Sequence, residues 1–396
     1  MEDLGPRSVL VVGGGIGGLA AAVALSGAGR RPLVLERADD VAPVGAGISL
    51  WPNAVHCLYR LGLAEALAGL PPVPAVGTIR TRRGDPLAAI DPQAVADRFG
   101  ASLLVLHRAR LHELLVDRLP PDALRLGATV GGIEQDAGGV VARLADGRAL
   151  RAEALVGADG IGSTVRAHVL GDGPPRYAGY TAWRGVVDLS AAGLTAADLP
   201  IGELWGPGAV FGLVPLADGR LYWFGTRPAP GGERDTPERR KQEVLDRFAD
   251  WHPALARVVA ATPAEAILRH DVVDRPPRRG WSTGRITLLG DAAHPMTPHL
   301  GQGACQALED AVVLADRLAG AVDVPRALAG YERARYRRTA LLVRRSRLVG
   351  RISQLYSPVL RRVRDAALAR VPAAVLLHGL DPVLGGPGNR PAQRCP

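Results

Sequence analysis

The chain has 396 residues, enough for two domains or for one large domain with a smaller one inserted. Hydrophobic residues make up 47%, which excludes a disordered chain. The net charge of +9 is spread along the sequence and carried almost wholly by arginine, Lys241 being the only lysine. With no basic patch or binding motif beside it, this charge argues against nucleic acid as a partner and suits attraction of anionic cofactors.

Cys57, Cys305 and Cys395 form no CxxC pair and no disulfide framework, in keeping with a reducing cytosol. No apolar run is long enough to span a bilayer, so a cytoplasmic protein without stable membrane insertion is expected, as a monomer or homodimer.

Residues 8–37 read as strand, turn, helix and strand. Val9 to Val12 is a continuous apolar strand of the kind found in parallel sheets, Gly13 to Gly18 the turn and Leu19 to Ala28 an Ala-rich helix. Leu33 to Leu35 is the second strand, ending at Glu36. A helix is expected over 52–69, with Pro52 near its start and Gly62 and Gly69 as stops. Short strands follow over 77–91, a helix over 108–118, and strands near 124–130, 140–145 and 149–156. Composition then shifts. Residues 176–227 hold most of the tryptophans in alternating, strand-like runs, and a helix is expected over 237–251. Ile286 to Leu289 returns the chain to the first sheet, and from Gln302 onward it is mostly helical.

The expected fold is α/β: a Rossmann-like dinucleotide-binding domain, an inserted β-sheet substrate domain and a C-terminal helical region. The first domain takes residues 1–75, 102–175 and 270–385, the second 76–101 and 176–269. Residues 386–396 are expected to be a disordered tail.

Three motifs carry chemistry. In Gly13-Gly14-Gly15-Ile16-Gly17-Gly18, Gly13 permits the tight turn, Gly15 lets the backbone approach a pyrophosphate, and Gly18 lets helix and strand pack closely. Glu36 stands about 20 residues on, where a ribose hydroxyl is bound. This motif alone does not separate FAD from NAD. The second runs Leu155-Val156-Gly157-Ala158-Asp159-Gly160 into Ser163-Thr164-Val165-Arg166, an apolar strand breaking into a glycine turn and a helix start. In the third, Ile286 to Leu289 ends in Gly290-Asp291, which delivers a carboxylate at the carboxyl edge of a sheet. The helix beginning near Gly301-Gln302-Gly303 offers unpaired backbone N–H groups beside it.

In this order and spacing the three motifs resemble those of the class A flavoprotein monooxygenases, the para-hydroxybenzoate hydroxylase-like family. Gly45-Ala46-Gly47-Ile48, Pro52-Asn53-Ala54, His107-Arg108-Ala109-Arg110-Leu111 and the run from Gly301 to Asp310 support the resemblance, which extends to about residue 370. The resemblance implies non-covalent FAD, NADPH or NADH as reductant, O2 as co-substrate and transfer of one oxygen atom from a flavin C4a-hydroperoxide to a small aromatic or polyene molecule. It places Glu36 on the adenosine ribose, Arg108 on the phosphate–ribityl region and Asp291 on the ribityl chain. Asp159 and Gly160 belong to a motif tied to both FAD and NAD(P)H, and Pro298, Gly301, Gly303 and Ala304 line the isoalloxazine. Gly13, Gly15, Ile16, Gly18, Arg37, Ala46, Gly47 and Val130 complete the expected FAD contacts. No metal site is expected. An FAD-dependent reductase or desaturase of isoprenoids, and a non-catalytic FAD-binding partner, share these motifs and stay open.

His299 departs from the family, where many members carry Asn. It is a candidate for hydrogen-bonding the substrate or serving as acid or base, against the plain alternative of a side chain turned to solvent or a carbonyl. Arg184 is the second catalytic candidate. The expected substrate walls are Trp183, Trp205, Phe211, Tyr222 and Phe224, for each of which core packing is an equal reading. Phenol hydroxylases of the family often carry a His or Tyr on the strand that Val210 to Pro215 matches; its lack of an ionisable group implies a pocket more apolar than theirs, suited to epoxidation or to a self-activated ring. His294 is read as a packing residue, and His270 as a core or surface residue. The arginine-dense stretch from Arg333 to Arg364 reads better as a solvated helix face than as a dock for an acidic carrier protein or a membrane.

Overall fold

The computed structural model describes residues 1–40, 45–72, 77–191 and 193–386. A five-stranded parallel sheet forms the first layer, in the order Ile286–Leu288, Ala154–Gly157, Ser8–Val12, Arg31–Leu35 and Leu124–Arg125. Ser8–Val12 is buried at every position, because helices cover one face and a second sheet the other. The helices are Ile16–Gly27 and Gly303–Leu318, packed over Val9, Val11 and Val156. The covering sheet is four-stranded: Glu2–Asp3, Ala149–Ala152, Val140–Leu144 and Val130–Gln135.

Register in the parallel sheet positions the site. Val12 pairs with Gly157, and Gly157 with Leu288, so the three motif-bearing strands end side by side. Ala158 N donates to Val12 O at 2.8 Å and Leu289 N to Gly157 O at 2.9 Å, carrying that alignment one residue into each turn.

A seven-stranded sheet forms the second layer, in the order Leu268–Asp274, Arg176–Val187, Leu221–Pro228, Ala209–Pro215, Gly202–Gly206, Ile79–Thr81 and Pro86–Ala88. Helices Pro237–Arg247 and Pro253–Ala261 cover its outer face through a core that includes Trp183, Phe211 and Trp223. Its inner face meets the first layer: Val186, Val214 and Tyr222 pack with Trp51, Met296 and Leu300. The long helix Val324–Ser353 then crosses the molecule, and Pro358–Leu368 and Ala373–Gly379 follow it.

Five elements differ in detail from expectation. The 52–69 helix is two, Pro52–Arg60 and Ala64–Ala68, because Gly62 takes φ +79° between them. The 237–251 helix stops at Arg247 and a second begins at Pro253, capped by His252. The 149–156 strand is two strands in different sheets, dividing at Glu153. Pro92–Phe99 is a helix that the sequence reading passed over, although Asp91 caps Gln93 N and Gly100 closes it in the left-handed region. Leu268–Asp274 belongs to the second sheet, so residues 270–274 move out of the first layer, where they were expected. The expected boundary at 75/76 and residues 387–396 of the expected tail lie outside the described residues.

Candidate active site

The three glycines of the first turn answer to three different constraints. Gly13 has φ +107°, and a Cβ there would stand 2.5 Å from Ala158 O. A Cβ on Gly18 would stand 1.9 Å from Gly13 O, so helix and strand meet only through glycine. At Gly15 a Cβ would meet nothing within 4 Å, and φ −73° suits any residue. Protein packing therefore does not require Gly15, and the open ground in front of the helix N-terminus has the form that would suit a pyrophosphate.

Glu36 sits across this turn, its Oε2 accepting from Gly14 N at 2.6 Å and its Oε1 from Ala38 N at 2.9 Å. His112 braces the same turn from behind, with Nε2 2.7 Å from Gly14 O. Arg37 is exposed beside Glu36, whereas Ile16 and Val130 are buried in the two cores flanking the parallel sheet.

Asp159 holds its own turn. Its carboxylate accepts from Thr164 N at 2.8 Å and Val165 N at 3.2 Å, capping the helix Thr164–Leu170. The side chain expected to touch cofactor is thus committed to a helix cap, while Gly160, at φ +78° with nothing within 4 Å of its ideal Cβ, leaves open backbone beside it.

Asp291 differs. It makes no side-chain hydrogen bond among the described residues, and it stays accessible to solvent although protein surrounds it, as at the foot of a cleft. Burial raises its pKa, opposed by the charges of His294 and Arg108. Arg108 is exposed, its charge reaches Asp291, and it has no ion pair among the described residues; its backbone N donates to Ala46 O at 3.0 Å, and Gly45 packs on its Cβ. Gly303 and Ala304 open the helix behind Asp291, while Pro298 and Gly301 form the single turn before it. These features fit FAD: an open cradle at Gly15, an unpaired cation at Arg108 and an unpaired acceptor at Asp291, all along one sheet edge.

Sequence reasoning missed what holds Asp291 in place. Asp310 Oδ2 accepts from Gly290 N at 2.9 Å and bonds His294 Nε2 at 2.6 Å, while Arg335 Nε reaches Oδ1 at 2.6 Å. Arg335 Nη1 also binds Glu309 at 2.5 Å, and Glu309 accepts from Asn53 Nδ2 at 2.7 Å and from Arg338. Two adjacent acids, Glu309 and Asp310, flanked by Ala, Leu and Val were the available signal, since such charges are buried only when paired. His294, read as a packing residue, is a member of this network.

Strand parity sorts the expected substrate walls. Trp183 pairs with Gly225, Gly225 with Phe211 and Phe211 with Leu204, so these side chains share the outer face. Trp183 and Phe211 are fully buried under Pro237–Arg247 and Pro253–Ala261 and are corrected to core residues. Arg184, Phe224, Tyr222 and Trp205 lie on the inner face, paired respectively with Phe224, Gly212, Val214 and Val210. Side chains alternate along a strand, so Trp183 and Arg184 could not both line the site. Val210–Pro215 offers no ionisable group to that face, and Tyr222, cross-strand from Val214, brings a phenol there. A Cβ on Gly47 would strike the Tyr222 ring at 2.6 Å, so this expected flavin contact and the phenol are neighbours. His270, on the same face opposite Ala182, has its pKa lowered by burial and by the charges of Arg184 and Arg108.

His299 is seated against the long helix. Its ring packs on Gly350, and its Nε2 lies 2.6 Å from Tyr180 Oη. Burial lowers its pKa to about 4, so it is a neutral imidazole at working pH, a hydrogen-bonding group and not a charged acid. A depressed histidine contributes stability that is present above its unfolded pKa of about 6.5 and lost as pH falls through the folded value. The His299→Asn protein should therefore lose less stability than the parent between about pH 6.5 and 4. It should also keep the neutral-range inflections of log kcat/KM; the disappearance of one would restore a catalytic histidine.

The family described as FAD binding domain matches residues 7–346, and the chain belongs to it. It is an FAD-dependent monooxygenase of the class A, para-hydroxybenzoate hydroxylase-like kind. The chain is 44% identical over 347 residues to an aurachin C monooxygenase/isomerase of Stigmatella aurantiaca, covering 88% of this chain and 90% of that one. It is 40% identical over 370 residues to a 3-amino-4-hydroxybenzoate 2-monooxygenase of Streptomyces platensis, covering 92% of each. The crystal structure of Klebsiella pneumoniae HpxO with FAD and uric acid superposes with a TM-score of 0.87 at 32% identity, covering 96% of this chain and 97% of that one.

Proposed function

We propose that this monooxygenase takes electrons from NADPH or NADH and places one atom of O2 on the ring of a small, electron-rich aromatic or heteroaromatic substrate bearing an acidic oxygen. One observation carries the reading: Arg184 and Tyr222 share the inner face of the second sheet without ion pairs or side-chain hydrogen bonds among the described residues. A half-buried guanidinium without a carboxylate attracts an anionic or strongly polar oxygen. Burial raises the Tyr222 pKa, with the charge of Arg184 opposing, so the phenol is protonated at neutral pH and donates to that oxygen. Phe224 offers a ring face on the same side of the sheet, where Trp205 is buried beneath Arg364. The relatives named for aurachin C, 3-amino-4-hydroxybenzoate and urate support a ring substrate over a polyene.

Bound at the strand edge, FAD supplies the redox chemistry, accepting two electrons from the nicotinamide and activating O2. The chain's own part is placement. Asp291 and Arg108 hold the cofactor, Gly47 brings Tyr222 to the flavin side, and Arg184 and Tyr222 grip the substrate oxygen so that the ring carbon to be oxygenated faces inward.

The test is a panel of hydroxy-, amino-hydroxy- and quinolone-type aromatics scored for stimulated NAD(P)H oxidation, with isotopically labelled O2 followed by mass spectrometry. One labelled oxygen in the product is expected. Tyr222→Phe should lower kcat/KM by about 10²-fold or more while substrate-free flavin reduction is unchanged. If ring substrates neither stimulate oxidation nor gain label, the reading fails.

A further inference from the structure

The helix Pro358–Leu368 is packed inside out. Arg364 is its most buried side chain, its guanidinium 5.2 Å from the Trp205 ring and hydrogen-bonded to the carbonyls of Ile352 and Ser353. Val359, Leu360 and Val363 face solvent at 65%, 53% and 63% exposure, with Ala366 and Ala367 exposed on the same arc. Spacing of i, i+4, i+7 and i+8 makes this an apolar stripe of the width that normally faces a core. Tyr356, Ile352 and Leu348, which precede this helix in the chain, are exposed as well. Soluble proteins rarely leave so continuous an apolar surface open without a use for it.

We infer that this surface docks on an anionic lipid membrane. Charge selects the occupant. Residues 341–380 contain eight arginines against one acid, Asp365, which Arg364 pairs. Arg344, Arg351 and Arg362 are exposed and form no ion pairs among the described residues. A second copy of the chain is disfavoured, because a two-fold contact sets this basic patch against itself. Residues 387–396 hold two more arginines, no acid and no Leu, Ile, Val or aromatic residue with which to cover the stripe. Aliphatic side chains flanked by arginine, with a tyrosine at their border, match the boundary between acyl chains and anionic headgroups. Among the described residues no single helix is long and apolar enough to cross a bilayer; Pro358–Leu368 and Ala373–Leu384 reach that length and composition only as a pair, bent by 100°. The contact we infer is peripheral. Docking here sets the Trp205 end of the substrate sheet at the bilayer surface.

The test is co-sedimentation of the flavin-loaded enzyme with vesicles. It should sediment with mixed phosphatidylglycerol–phosphatidylcholine vesicles, far less with phosphatidylcholine alone, and release in about 1 M NaCl, where the Debye length is about 3 Å. The doubly substituted V359D/V363D protein should bind the anionic vesicles roughly tenfold less or worse, with flavin content and melting temperature unchanged. Wild-type protein that ignores anionic vesicles while monomeric would give the stripe to a protein partner and overturn the proposal. So would equal binding by V359D/V363D, or a wild-type dimer that the same double substitution dissociates.

Discussion

The Gly15→Val protein should purify folded and colourless. Gly15 is the N-cap of Ile16–Gly27 at φ −73° and ψ 177°, a conformation valine adopts without strain, and a Cβ there touches no protein atom within 4 Å. The added isopropyl group occupies only the ground in front of the helix, where the pyrophosphate must meet the backbone N–H groups. Loss of FAD binding is expected with the fold retained, and oxygenation falls to background. The checks are flavin absorbance after gel filtration, FAD titration and far-UV circular dichroism. Gly13 and Gly18 are the contrast: a Cβ at either meets backbone inside 2.6 Å, so alanine there should damage folding itself. A yellow Gly15→Val enzyme with parental FAD affinity would remove the pyrophosphate from this turn.

Removing the Arg335 guanidinium should cost the most stability of any single truncation in the site's support. Arg335 is 1% exposed and bonds both Asp310 and Glu309, each wholly buried. Arg335→Met leaves two carboxylates short of a partner inside the protein, a loss of about 3–5 kcal/mol, or a fall in Tm on the order of 10 °C. Thermal melts of the flavin-loaded protein measure it. Adding Glu309→Gln and Asp310→Asn should recover part of the loss, since the uncompensated charge goes with them; no recovery would mean that lost packing, and not charge, is the cause.

The same cluster sets an acid limit. Burial by itself would raise the Asp310 pKa, but the charges of His294 and Arg335 and their hydrogen bonds outweigh it and hold the carboxyl at about 2. Glu309 is likewise lowered, by Arg335 and Arg338 against its burial. Carboxyls depressed in the fold contribute stability that is fully present above their unfolded pKa values of about 4 and lost as pH falls through the folded ones. Without Arg335 the folded values rise, so the acid unfolding of Arg335→Met should begin at higher pH than that of the parent.

The motifs were legible in the sequence because they are local. A glycine turn, a strand ending in Asp159-Gly160 and another ending in Gly290-Asp291 each announce themselves within a dozen residues. The physical demands behind them, a tight turn, a close approach and a carboxylate at a strand end, act over that same distance. The concentration of tryptophans in alternating, strand-like runs over 176–227 likewise pointed to a second sheet.

Tertiary structure decided what depends on pairing across the chain. Trp183 and Arg184 are neighbours in sequence, yet one packs under the outer helices and the other faces the site, because the sheet's register sets which parity points inward. Tyr222 supplies the phenol that Val210–Pro215 lacks, from a strand whose alignment with Val214 no local pattern states. His299 belongs to Tyr180 and Gly350, residues 119 and 51 positions away, and burial there drives its proton off at working pH. The arginine-rich C-terminal stretch looked like a solvated helix face, but Arg364 turns inward onto Trp205 and the aliphatic arc turns out. Charge and hydropathy are properties of the sequence. The side of a helix or sheet on which they fall is settled only by the surface it packs against.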